Sequence, residues 1–112
     1  MKKVIWSGQG DSIHTRMRVK ERNQNIADDF KGEDVQVITS FKKFVDSLGP
    51  GCIAIIPRHL ARDYPDKVRK VAKKHPNVEL KILVWELHYN DEEMSRNPIL
   101  LEWKTTPPLR AS

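Results

Sequence analysis

Apolar residues in this 112-residue chain gather in four short runs, separated by longer stretches of mixed character. The runs cover residues 3–7, 34–39, 52–57 and 79–87, and three of them are rich in Val and Ile. Their length and composition predict β-strands. In the third run Ile53, Ala54, Ile55 and Ile56 follow one another without a polar residue. Such continuity marks a strand buried on both faces, as in a parallel sheet covered by helices. Ile99-Leu100-Leu101 fits either a fifth strand, antiparallel at an edge, or an extended segment laid over the core.

The intervening stretches supply helices. Residues 18–31 set Val19, Ile26, Ala27 and Phe30 on a polar background closed by Gly32. Residues 41–48 are sharper: Ser40 suits an N-cap, Phe41, Phe44, Val45 and Leu48 form one stripe, and Gly49-Pro50-Gly51 ends it. A third helix is expected from Asp63, with Pro65 in its first turn, Val68, Val71 and Ala72 inward, and His75-Pro76-Asn77 as the stop. Strand and helix thus alternate. The order predicts one α/β domain over residues 1–104, a three-layer Rossmann or flavodoxin-like sandwich with a mainly parallel sheet of four or five strands. Residues 105–112, with Pro107-Pro108 and no apolar pattern, read as a loose C-terminal tail.

Composition narrows the function classes. With 38% hydrophobic and 31% charged residues, the chain is no disordered segment. One cysteine, Cys52, rules out an internal disulfide and suits a reducing cytoplasm. No apolar run approaches the roughly 20 residues of a membrane-spanning helix, so a membrane partner is not expected. Net charge is +5 and the isoelectric point is near 9.5, which favours anionic partners. The charge is also uneven. Residues 58–75 carry seven basic groups against two acidic, and residues 14–22 four against one. Residues 86–104 reverse the balance, with five acids against two bases.

In open parallel sheets, ligands bind beyond the carboxyl ends of the strands, where strand order reverses. That rule gathers Ser7, Gly8, Gln9, Gly10 and Asp11 after the first strand, Ser40 after the second, and Arg58 and His59 after the third. His14 and His88 fall near the same edge. Glycines at a strand-to-helix turn let backbone N–H groups approach an anion, and an adjacent guanidinium adds a fork of donors. These eight residues are therefore the expected site for a phosphate-bearing ligand, a nucleotide or a nucleic-acid backbone. Lys67, Lys70, Lys73 and Lys74 on the third helix form a broader expected contact with nucleic acid. Position 13 is Ile, so the third glycine of a dinucleotide-binding turn is missing. No metal or cofactor is expected. Two other classes stay open: a hydrolase or transferase acting on a phosphorylated substrate with His14 or His59 as acid/base, and a protein-interaction module around Trp85, Tyr89 and Trp103.

Two strings resemble enzyme motifs without their geometry. Pro65-Asp66 and Glu79-Leu80-Lys81 resemble the string of PD-(D/E)xK nucleases, but a whole helix separates the carboxylates that would have to share a metal. Receiver domains of response regulators have a similar alternation, yet Pro57 stands where their acceptor Asp belongs. Arg58-His59-Leu60-Ala61-Arg62 is similar in spacing to the strand-to-helix segment of serine recombinases. Only Leu60 and Arg62 match, and the first strand lacks an Arg-x-Ser arrangement.

Overall fold

All four apolar runs form strands in the computed structural model, which describes residues 2–8, 13–90 and 93–103, the side chains of 13–17, 90 and 94 excepted. The elements in chain order are β1 (Lys2–Trp6), α1 (Ile13–Asp29), β2 (Val35–Ile38), α2 (Phe41–Asp46), β3 (Cys52–Pro57), α3 (Arg58–Asp63), α4 (Pro65–Lys74), β4 (Glu79–Asn90) and β5 (Glu93–Glu102). They build an α/β fold on a mixed, mostly parallel five-stranded sheet of order β2-β1-β3-β4-β5. β1 pairs in parallel with β2 and β3, and β3 with β4. β5 closes the sheet as an antiparallel edge against β4.

The fifth strand resolves the alternative left open at residues 99–101, and it is longer than that apolar triplet. β4 is longer too. It pairs with β3 only as far as Leu83, so the stretch from Val84 to Asn90 pairs with β5 alone and overhangs the parallel sheet. The third helix of the sequence reading, expected from Asp63, is α4, and an additional short helix, α3, precedes it. α3 starts at Arg58, directly after β3, and Tyr64 separates it from α4. Pro65 opens α4, where its missing N–H has no helical partner to lose.

Strand alternation sorts the core into two clusters. Val4, Trp6, Ala54, Ile56 and Leu80 face α2, α3 and α4, meeting Phe44, Val45, Leu60, Val68 and Val71. Ile5, Ile55 and Leu83 face the other way, toward Ile26 and Phe30 of the α1 segment. Phe44 is wholly buried, and truncations of such a ring cost about 3–5 kcal/mol. Trp103 packs half-buried against the first cluster, whereas Tyr89 on the overhanging hairpin is 76% exposed. Among the described residues no helix is long and apolar enough to cross a membrane.

Asp29, the last residue of α1, fastens this helix to the overhang. Its carboxylate accepts Trp85 Nε1 at 2.6 Å and a two-pronged bond from Arg96 Nε and Nη2, both at 2.9 Å. Trp85 is therefore committed to an internal bond. The predicted tail, residues 105–112, lies outside the described residues.

Candidate functional site

The chain leaves β1 to lay α1 on one face and leaves β2 to lay α2 on the other, so strand order reverses between β1 and β3. A cleft of about 390 Å³ opens there. Trp6, Gly8 and Thr39 line it from the strand ends, and Arg18 and Arg22 from α1. Phe41 comes from α2, while His59, Leu60, Asp63, Tyr64 and Lys67 come from α3, its junction and α4.

Gly8 forms the turn beneath the cleft, and two observations explain the residue type. Its φ is +86°, a conformation that side chains rarely adopt. A Cβ at this position would stand 3.1 Å from Leu60 Cδ1 and 3.2 Å from Arg22 Nη1. Gly8→Ala is accordingly expected to lower stability by about 1–3 kcal/mol through strain and crowding, read as a fall in the urea midpoint. Ser7 beside it is fully buried; its Oγ donates to the Ile38 carbonyl at 3.4 Å.

The electrostatics of the cleft are one-sided. Arg22 Nη1 donates to the Ser7 carbonyl oxygen. Burial draws the guanidinium below its ordinary pKa, yet so strong a base remains charged. Among the described residues none of the ion pairs includes Arg18, Arg22 or Lys67. Among the described residues the lining holds one carboxylate, that of Asp63, which lies 3.4 Å from Arg62, and both side chains are exposed. Three cations thus meet in the cleft with one partly engaged acid.

His59 sits among them with its Nε2 buried and unpartnered among the described residues. Burial foremost, then the Arg22 and Arg62 charges, hold its pKa below the ordinary value near 6.5, with Asp63 opposing. The imidazole is neutral at pH 7. Because the folded value lies below the unfolded one, the unfolded chain binds more protons as pH falls through 6.5. Stability present above that pH is lost on acidification toward the folded value. Urea titrations at descending pH should therefore show a midpoint loss that is smaller in His59→Gln; equal losses in both proteins would place the titration elsewhere.

Aromatic rings share the lining with the cations. Trp6 meets Phe41 edge-on at 5.0 Å between centroids and Tyr64 at 6.1 Å. Trp6 is fixed by donation from Nε1 to the Thr39 carbonyl at 2.9 Å. Lys67 Nζ lies 4.6 Å from the Phe41 centroid and 5.8 Å from that of Tyr64, within cation–π range.

The residues singled out from sequence are only partly brought together here. Gly8, His59 and Lys67 line the cleft, and Ser7 lies beneath it. Ser40 is the N-cap of α2, accepting from the Lys43 N–H at 3.4 Å, and Arg58 is exposed at the start of α3; neither lines the cleft. Gln9, Gly10 and Asp11 lie outside the described residues, and so does the side chain of His14, whose backbone belongs to α1. His88 is on the overhang, 2.7 Å from Glu86. Lys70, Lys73 and Lys74 are exposed on α4, with Lys74 3.8 Å from Asp46. Asp66 lies in the first turn of α4 and pairs with Arg69, while Glu79 and Lys81 begin β4, apart from the strand-end cleft.

Arg18, Arg22, Trp6 and Phe41 were not singled out. The basic balance of residues 14–22 was the available signal for the two arginines. Neither a protein-family model, nor a curated protein, nor a solved structure matches this chain.

Proposed function

We propose that this protein binds a phosphate-bearing ligand, a nucleotide or nucleic-acid backbone, in the cleft between β1 and β3. The observation that carries the reading is Arg22, half-buried, bonded only to a carbonyl among the described residues, and joined in the cleft by Arg18 and Lys67. A desolvated cation without a carboxylate is costly, and an anionic ligand would offset that cost. The exposed lysines of α4 extend the positive surface for a longer polyanion.

The architecture supports the same reading. Strand order β2-β1-β3-β4 with α1 on one face and α2, α3 and α4 on the other fits a flavodoxin-like three-layer sandwich, whose ligands sit at this switch point. The lone, half-buried Cys52 fits a reducing compartment such as the cytoplasm.

Calorimetric titration with inorganic phosphate, AMP and a short DNA duplex at about 50 and 200 mM salt tests it, since phosphate contacts weaken with salt. At least one probe should bind at low salt and weaken at high salt. Failure of all three at low salt overturns the proposal. The neutral imidazole of His59 favours one second reading, a hydrolase or transferase using it as base. Release of phosphate from bound AMP, lost in His59→Gln, would move the assignment there.

A further inference from the structure

Resting on the phosphate-binding reading, we infer that the cleft takes a single nucleotide and that Tyr64 stacks on its base. Size gives the first argument. A volume of about 390 Å³ stands at the lower end of the roughly 300–1,000 Å³ common for small-molecule sites. One nucleoside with its phosphate suits that space.

The lining gives the second argument. A bare phosphate would engage the cations and leave the aromatic rings in water. A duplex would present phosphates while keeping its bases stacked inside the helix. A free nucleotide engages both kinds of side chain at once, phosphate on Arg18 and Arg22 and base on an aromatic ring.

Of the three rings only Tyr64 is available. Trp6 is 4% exposed and fixed through its indole N–H, and Phe41 lies half-buried beneath Lys67. Tyr64 is 46% exposed and lines the cleft. Its backbone is well held at the α3–α4 junction, where its N–H donates to the Leu60 carbonyl at 2.8 Å. Lys67 Nζ stands 5.8 Å from its centroid, which brings a positive charge and a stacking surface within the span of one sugar phosphate.

Titrations with AMP, UMP, ribose 5-phosphate and inorganic phosphate test this. AMP should bind at least about tenfold more tightly than ribose 5-phosphate, as base–aromatic stacking implies. That preference should vanish in Tyr64→Leu, which keeps apolar bulk without a π-face, and persist in Tyr64→Phe. Ribose 5-phosphate affinity should hold in both variants, with thermal unfolding confirming that each is folded. Equal binding of AMP and ribose 5-phosphate by the unaltered protein overturns base recognition while leaving the phosphate reading in place. A preference that survives in Tyr64→Leu overturns the assignment of Tyr64. Failure of all four ligands overturns the single-nucleotide assignment, and failure of the duplex in addition overturns the phosphate reading as well.

Discussion

Asp29→Ala is expected to remove about 2–4 kcal/mol of stability, a fall in Tm of roughly 10–20 °C for a domain of this size. Three donors converge on this carboxylate: the Trp85 indole N–H and two groups of the Arg96 guanidinium. The Asp29 side chain is 10% exposed and that of Arg96 27%, so water replaces little of what is lost. Arg96 would be left as a part-buried cation and Trp85 as a part-buried donor. Bonding to Asp29 holds the guanidinium pKa above its ordinary value, and it stays charged at any working pH. Position matters as well. A carboxylate at the end of a helix meets the negative pole of the dipole, and the Arg96 fork offsets that repulsion. The pair can be isolated by a double-mutant cycle. Asp29→Ala combined with Arg96→Met should cost clearly less than the two single losses added together, because no charge is then stranded. Additive losses would show that the two side chains contribute independently.

Arg22→Met should behave in the opposite way, leaving stability within about 1 kcal/mol while weakening the binding of AMP or phosphate about 10- to 100-fold. The substitution loses the bond to the Ser7 carbonyl but also removes a half-buried cation that no carboxylate among the described residues neutralises. These terms oppose each other in the unliganded protein. With an anion present they no longer cancel, because the guanidinium is then a charged donor lost. Such separation of stability from binding is the mark of a residue kept for function. A fall in Tm of more than about 10 °C, with binding intact, would make Arg22 a strut for the β1 turn instead.

The sheet was legible where burial leaves a simple trace. β3 carries Ile53–Ile56 without interruption because helices cover both its faces, and Gly49, Pro50 and Gly51 punctuate the chain before it. β5 was less legible because an edge strand obeys different rules: Arg96, Asn97 and Pro98 break its apolar run, and the first of these serves Asp29. α3 escaped notice for another reason. Its six residues bury only Leu60 and have no side-chain cap, so neither period nor punctuation announces it. The same physics governs the site. Gly8 and His59 each stand two residues past the end of a strand, and the strand-end rule finds them. Arg18 and Arg22 reach the cleft from a helix whose polar residues run nearly all the way round, which conceals the face it turns to the sheet. Trp6 and Phe41 are 35 positions apart, and only the crossover of α2 onto that face makes them neighbours. Ser40 could serve as cap or ligand by type alone; its backbone-facing Oγ makes it a cap.

Pro98 has a consequence for how large this sheet can grow. It stands opposite Trp85 in an antiparallel ladder, and a proline fits only where the strand's N–H would turn away from its neighbour. Its place is thus in the middle of the row of outward-turned groups along β5. A strand from another molecule aligning there would find a missing donor at the centre of its ladder, flanked by the acidic ends Glu93 and Glu102. Open edges invite strand-by-strand polymerisation, and proline and charge are how sheets refuse it. β5 thus terminates the sheet as well as enlarging it, guarding the chain against fibrillar aggregation along this side.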